Sequence, residues 1–311
     1  MRKLSCVIAL SILLLAGCSQ DEGIMESKGE LVTLNYNVSL GNGVQSRAGE
    51  DLAVNKLLCT IFEVNTDGSA IEVKRDILDM TNGTAQYTPK LFSNVQYKIA
   101  FWAYCEQNGQ SCFDLTDARN IKINYELYDK EAFVENKYKD AYTAAHEIKL
   151  TETKQTPSIV LNRPFGMVKV LTSKADYEAA VALGSTPTKG TITVGSCNKV
   201  YDAYAQEWKS GNDTSVLLET SVSATTVQYQ DMECYVLASE YVFGNGTVTA
   251  TNIQIMDASE KNIYNATISN MPLGVNMRTN MYNETLLTGG GVTYTVSVNE
   301  GFSDNENNVS L

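Results

Sequence analysis

The sequence predicts a mainly β protein, and three observations carry that prediction. Long stretches alternate apolar and polar residues with a period of two, drawing on Val, Ile, Thr and Tyr. Asn-Gly, Asp-Gly and Gly-Asn pairs punctuate these stretches, as turns between antiparallel strands require. Only two short runs carry a helical pattern. With 311 residues, 43% of them hydrophobic, the chain is long enough to bury a substantial core and to divide into about two domains.

The first strand is the clearest. Val32, Leu34, Tyr36, Val38 and Leu40 share one face of residues 32–40, and Thr33, Asn35, Asn37 and Ser39 share the other, so one face is expected to be buried. The same alternation places strands at 57–64, around 71–75, at 96–105, 119–124 and 158–162. Beyond Pro164 it places them at 166–172, 190–196, 234–238, 247–256, 262–268 and 292–298. Their spacing is irregular, which excludes a repeat architecture. The helical runs are Lys139 to Ala145 and Lys174 to Leu183, the second rich in Ala and Glu and stopped by Gly184. Pro164 interrupts a strand pattern that resumes at once with Met167 to Leu171. The expected division is therefore an N-terminal domain over 31–163 and a C-terminal domain over 164–311. The acidic, Asn-rich tail Gly301 to Leu311 is expected to fray.

The N-terminus reads as an address. Arg2-Lys3 precede an apolar run from Val7 to Ala16 and then Leu15-Ala16-Gly17-Cys18, the layout of a signal peptide over 1–17. The apolar run is shorter than the roughly 20 residues a spanning helix needs, and no later segment reaches that length without polar interruption. Leu-Ala-Gly-Cys resembles a bacterial lipobox, in which cleavage precedes the cysteine and Cys18 carries acyl chains, palmitate among them. Several acyl chains on one residue anchor stably, since each buried methylene adds roughly 0.8 kcal/mol. Residues 18–30 would form a flexible tether, and Ser19-Gln20-Asp21-Glu22 is similar to signals that send lipoproteins to the outer face of an outer membrane. After cleavage 22 basic residues face 36 acidic ones, a net charge of −14. This argues against nucleic acid or anionic lipid as partners of a basic face, and it suits an exposed, soluble surface domain.

No catalytic constellation is present in the sequence. His146 is the single histidine and has neither a nearby Cys nor a paired carboxylate, so catalytic triads, multi-His zinc sites and other metal sites are not expected. There is no Gly-x-Ser-x-Gly and no phosphate-binding loop, and Gly289-Gly290-Gly291 precedes a strand, as a turn would. Asp76 and Asp79 read as solvated acidic surface, and no cofactor is implied. Five cysteines remain once Cys6 is removed and Cys18 acylated. In the stretch from Cys105 to Cys112, a two-residue Asn108-Gly109 turn would set the two cysteines opposite each other as a candidate disulfide. By the same count they form a hydrogen-bonded pair, whose side chains stand farther apart than those of alternate pairs, so the count leaves the bridge open. The aromatic run Phe101-Trp102-Ala103-Tyr104 reads as core on one face and sheet packing on the other, with a sugar platform as the alternative.

Several segments together carry a family resemblance. They are Phe101-Trp102-Ala103 with Phe113-Asp114-Leu115, Asn136 to Tyr142 with Asp140-Ala141-Tyr142, and Leu161-Asn162-Arg163-Pro164-Phe165-Gly166. To these are added Asp176-Tyr177-Glu178-Ala179-Ala180, and Met277 to Tyr282 with Leu286-Leu287-Thr288. The chain resembles the Bacteroidota fimbrillin-like lipoproteins, relatives of major and minor fimbrial subunits. The resemblance implies two transthyretin-like β-sandwich domains, a non-enzymatic cell-adhesion or pilus role, and other fimbrial subunits as partners. It also implies cutting by an Arg-specific protease after the first strand, which leaves a groove for a strand of another subunit. Gln45-Ser46-Arg47-Ala48-Gly49 follows strand 32–40, so Arg47 is the candidate processing site. Val292, Tyr294, Val296 and Val298 alternate as a donated strand would, although they suit a last intramolecular strand equally well. The acidic tail departs from the pattern of shaft subunits and leaves an anchor, tip or non-polymerising role open. A host or glycan ligand is the further partner, and a glycan-binding surface lipoprotein is the alternative function. That alternative requires Trp102, Trp208 and their neighbours to be exposed.

Overall fold

The computed structural model describes residues 28–41, 53–124, 127, 138–150, 155–209, 214–243, 246–289, 295–300 and 307–309. Strands dominate it. In the first half they are β1 (Leu31–Thr33), β2 (Tyr36–Leu40), β3 (Lys56–Val64), β4 (Ala70–Asp79), β5 (Thr84–Tyr87) and β6 (Lys90–Phe92). They continue with β7 (Gln96–Tyr104), β8 (Phe113–Asp114), β9 (Ile121–Ile123), β10 (Ala141–Lys149) and β11 (Ser158–Leu161). One sheet runs β10-β7-β3-β4, a second runs β11-β2-β5, and β1 and β6 form a two-stranded ribbon. Their inward residues share one core, in which Leu34, Tyr36 and Val38 meet Leu57, Ile61 and Phe101. Of the five inward positions expected of residues 32–40, Leu34, Tyr36, Val38 and Leu40 pack into this core and Val32 is buried, but the strand breaks at Leu34-Asn35 into β1 and β2. There the Leu34 N–H turns to the carbonyl of Pro89 and the Asn35 N–H to that of Gln155.

The second half contains β12 (Gly166–Ser173), helix α1 (Lys174–Ala182), β13 (Lys189–Cys197), β14 (Val200–Asp202), β15 (Glu207–Trp208) and β16 (Thr214–Ser221). It continues with β17 (Thr226–Tyr229), β18 (Met232–Val242), β19 (Gly246–Met256), β20 (Asn262–Leu273), β21 (Met277–Asn283), β22 (Thr295–Glu300) and β23 (Asn307–Val309). Sheet β17-β18-β12-β21-β22-β23 packs on sheet β16-β13-β19-β20 through Val170, Ile192, Leu237 and Ile253. The sheets approach so closely at Gly190 that a Cβ there would lie 2.2 Å from the carbonyl oxygen of Leu237. Helix α1 matches its expected span. Ser173 caps it by accepting from the Asp176 N–H at 3.1 Å, and Gly184, at φ +83°, ends it.

Four findings differ from the sequence expectations. Residues 141–145, expected to be helical, belong to β10, which pairs along its full length with β7 from Ala141↔Tyr104 to Lys149↔Gln96. Alanine-rich helix propensity is worth only tenths of a kcal/mol per residue and yields to that pairing. The sheets are not purely antiparallel, because β2 pairs parallel with β11 and β12 parallel with β21. Within the tail, Asn307–Val309 is not frayed but pairs with Val296–Val298 as the edge strand of its sheet. Finally, β8 and β9 join β14 and β15 in one sheet, so residues on both sides of Pro164 share a ladder, with Tyr201 opposite Ile121.

Candidate functional site

The feature with functional potential is the seat of the first strand. Strand β2 lies between β11 and β5, with Asn37 opposite Ser158 on one side and Gln86 on the other. Leu34, Tyr36 and Val38 are at most 1% exposed. The Tyr36 ring lies 5.6 Å from Phe101 and 6.3 Å from Tyr87, and its hydroxyl is 3.2 Å from His146 Nδ1. Burial pushes that hydroxyl well above its ordinary pKa, so it keeps its proton. Taking β2 away would leave β11 and β5 with unpaired edges around an apolar slot. That arrangement is unstable until another strand fills it.

His146 makes this seat sensitive to pH. Burial lowers its pKa below the ordinary 6.5, so the folded state favours the neutral ring. The linked stability is fully present above about pH 6.5 and is lost as pH falls through the folded-state value. Denaturation midpoints of the wild type should therefore decline below pH 6.5, and more steeply than those of His146→Gln.

Behind the seat lie two buried ion pairs, of which one joins the two halves. Arg163 bonds Asp140 in bidentate fashion, Nε to Oδ1 at 2.8 Å and Nη2 to Oδ2 at 2.7 Å. Tyr142 donates to the same carboxylate at 2.7 Å, and its ring lies 4.6 Å beneath the guanidinium. One residue before Asp140, Lys139 meets Glu240 of β18 at 2.7 Å, with side chains 2% and 1% exposed. Burial opposes the charge on Arg163, but the Asp140 carboxylate outweighs it and the pKa lies above the ordinary value. The indole of Trp208 donates to the Pro164 carbonyl at 2.6 Å.

The segments that carried the family resemblance thus find one another in space, and their contacts are structural. Asp140-Ala141-Tyr142 meets Arg163. Asp176 accepts the N–H groups of Leu287 and Thr288 at 2.7 and 3.0 Å, pinning the loop after β21 to α1. Trp102, 1% exposed, lies 5.3 Å from both Phe113 and Tyr201. Trp208 packs 5.0 Å from Tyr201 and 5.8 Å from Phe243. The two tryptophans are therefore engaged in packing and build no exposed sugar platform, against the requirement of the glycan alternative. Asp76 accepts from the Tyr87 hydroxyl at 2.7 Å, whereas Asp79 is paired with Lys56 at the other end of the strand segment.

Among the described residues no group of three or more His, Cys, Asp or Glu could hold a metal ion, and no helix is long and apolar enough to cross a membrane. Cys18 and Arg47 lie outside the described residues, as do the signal peptide 1–17 and the tether up to residue 27. The Asn108-Gly109 turn forms as expected, with φ of 51° and 74° and Gln107 bridged to Gln110. Its legs then part, because the Glu106 N–H bonds Asn55 Oδ1 and the Cys112 carbonyl accepts from Asn124. Cys105 is a buried thiol whose pKa burial pushes up to about 11.

A family profile described as a family of unknown function, DUF6562, matches residues 26–311, nearly the whole chain. The chain belongs to DUF6562. No curated protein matches its sequence. Among solved structures, this DUF6562 protein is similar to a candidate adhesin of Bacteroides thetaiotaomicron at a TM-score of 0.51 and 10% identity, covering 86% of this chain and 95% of that one. It is similar to the tip fimbrial protein Mfa3 of Porphyromonas gingivalis, solved with a C-terminal truncation, at a TM-score of 0.51 and 11% identity, covering 87% and 99%. At these identities the likeness is one of fold. The sequence missed the buried ion pair that joins the halves, Lys139 with Glu240, and the pair Asp140 with Arg163 that holds the segment leading to Pro164. Their only signal was position, since each partner lies more than 20 residues from the other.

Proposed function

We propose that this DUF6562 protein is a non-enzymatic cell-surface lipoprotein of the fimbrillin-like group, acting in adhesion or as a fimbrial subunit. In this reading it carries two transthyretin-like sandwiches meeting near residue 163, an acylated Cys18 anchored in the outer membrane, and a first strand replaceable by a strand of another subunit. The observation that supports it is the seat of β2, a strand held between two others with two side chains, Tyr36 and Val38, fully buried and followed by the segment containing Arg47. The shared fold with a candidate adhesin and a tip fimbrial protein agrees with that reading. Cys105 and Cys112 are both buried thiols in this structure, their closure into a disulfide on oxidation is part of the proposal, and thiol labelling of denatured, unreduced protein reads it.

Selectivity for Arg47 follows from where the other arginines of the mature chain sit. Arg75 chelates Glu72, Arg119 is stacked 4.4 Å from the Tyr204 ring, Arg163 is buried before a proline, and Arg278 lies within β21. Acylation-free protein treated with an Arg-specific protease should be cut at Arg47 alone. The product, run without boiling in SDS, should give a ladder of multimers that Arg47→Ala abolishes. Cuts distributed over several arginines, or a cut product that stays monomeric, would refute the strand-replacement reading.

A further inference from the structure

The outward face of the β1–β6 ribbon carries a cluster of exposed apolar side chains. Leu31 and Phe92 are opposite each other in register and 60% and 40% exposed. Lys28 spans from there to the neighbouring sheet, its Nζ 5.8 Å from the Phe92 ring and 2.7 Å from Glu63 Oε2. Glu63 in turn pairs with Ile71 on the edge strand β4, where Ile71 and Val73 are 62% and 47% exposed. Three large apolar groups, Leu31, Phe92 and Ile71, around one neutralised ion pair are an unusual surface for a chain whose mature charge is −14.

What covers this patch follows from where the chain enters it. Lys28 is the first described residue and is itself part of the patch. Nine residues separate it from Cys18, so the two lie at most roughly 33–36 Å apart even along a fully extended chain. An anchor at Cys18 therefore holds this end of the molecule, and no other, close to the lipid surface. Tethering at that range makes even a weak apolar contact effective, because binding becomes intramolecular. The paired Lys28 and Glu63 leave the patch without the acidic excess that would be repelled by anionic headgroups.

We propose that the Leu31, Phe92 and Ile71 face rests on the lipid surface of the outer membrane and fixes the orientation of the anchored protein. The proposal rests on the lipoprotein reading. Cutting at Arg47 would part β1, and with it Leu31, from the rest of the fold, so the contact belongs to the uncut protein.

The test uses acylated full-length protein in vesicles of phosphatidylethanolamine and lipopolysaccharide, labelled with an environment-sensitive dye at Phe92→Cys or, as control, at Leu217→Cys. Leu217 is 53% exposed on β16 in the other half. The expected result is blue-shifted emission, quenched by spin-labelled lipid, at position 92 and aqueous emission at 217. Adding Leu31→Ser and Ile71→Ser should reverse at least half of the shift at 92. Intact mass reads acylation independently. Acylated protein with aqueous emission at both positions overturns the docking face and leaves the lipoprotein reading standing. Protein without acyl chains overturns both.

Discussion

Asp140→Ala lowers the folding stability by about 3–5 kcal/mol, because it strands the Arg163 guanidinium in the interior without its carboxylate. The carboxylate receives two bonds from Arg163 and one from Tyr142, and both ionic side chains are under 10% exposed. Removing it leaves a buried charge and an orphaned hydroxyl in one step, each of which carries its own desolvation cost. Replacing the pair together, as Asp140→Leu with Arg163→Met, should recover much of the loss, since apolar groups of similar size need no partners. Urea denaturation followed by far-ultraviolet circular dichroism measures both. A single variant as stable as the wild type would mean that this pair does not hold the junction.

Trp102→Ala costs a further large amount, about 3–5 kcal/mol as for other buried aromatic truncations. Trp102 is seated between β7 and the sheet shared by both halves, touching Phe113 on one side of Pro164 and Tyr201 on the other. Its loss opens a cavity that neither side can close alone. The indole nitrogen is buried with no hydrogen-bond partner, so Trp102→Phe sacrifices packing volume and no polar bond, and should cost less than half as much. Equal costs for the two variants would show that the nitrogen has a role that packing does not explain. If Trp102→Ala were neutral for stability but removed glycan binding, the alternative function would return.

The fold class was legible because strands that bury one face must alternate. Residues 32–40 announce themselves in this way, 96–105 and 166–172 show as near-continuous apolar runs buried on both faces, and α1 shows through its Ala-rich run and Gly184. The strands that escaped are of two kinds. Short pairs such as β8 and β14 span two or three residues, too few for a period to register. Others, such as β10, read Ala-Tyr-Thr-Ala-Ala, whose local preference is helical and whose strand state is imposed by pairing with β7. The parallel pairings of β2 and β12 were invisible for the same reason, since nothing in a strand states which way its neighbour runs. Within the candidate site, the buried face of the first strand was predicted residue by residue. The partners that hold it, and the buried ion pairs behind it, depend on contacts across more than 20 residues of chain.

The central claim is that β2 is a separable strand whose place another strand can take. Cut protein is incubated with a fluorescent peptide of residues 31–41, and retention of the label through gel filtration is compared with that of a peptide carrying Tyr36→Asp and Val38→Asp. The account predicts that the native peptide exchanges into the fold and stays bound, that unlabelled peptide of residues 292–300 competes with it, and that the substituted peptide elutes free. Failure of the native peptide to enter, with residues 18–47 still held by the cut protein under mild denaturant, would contradict it.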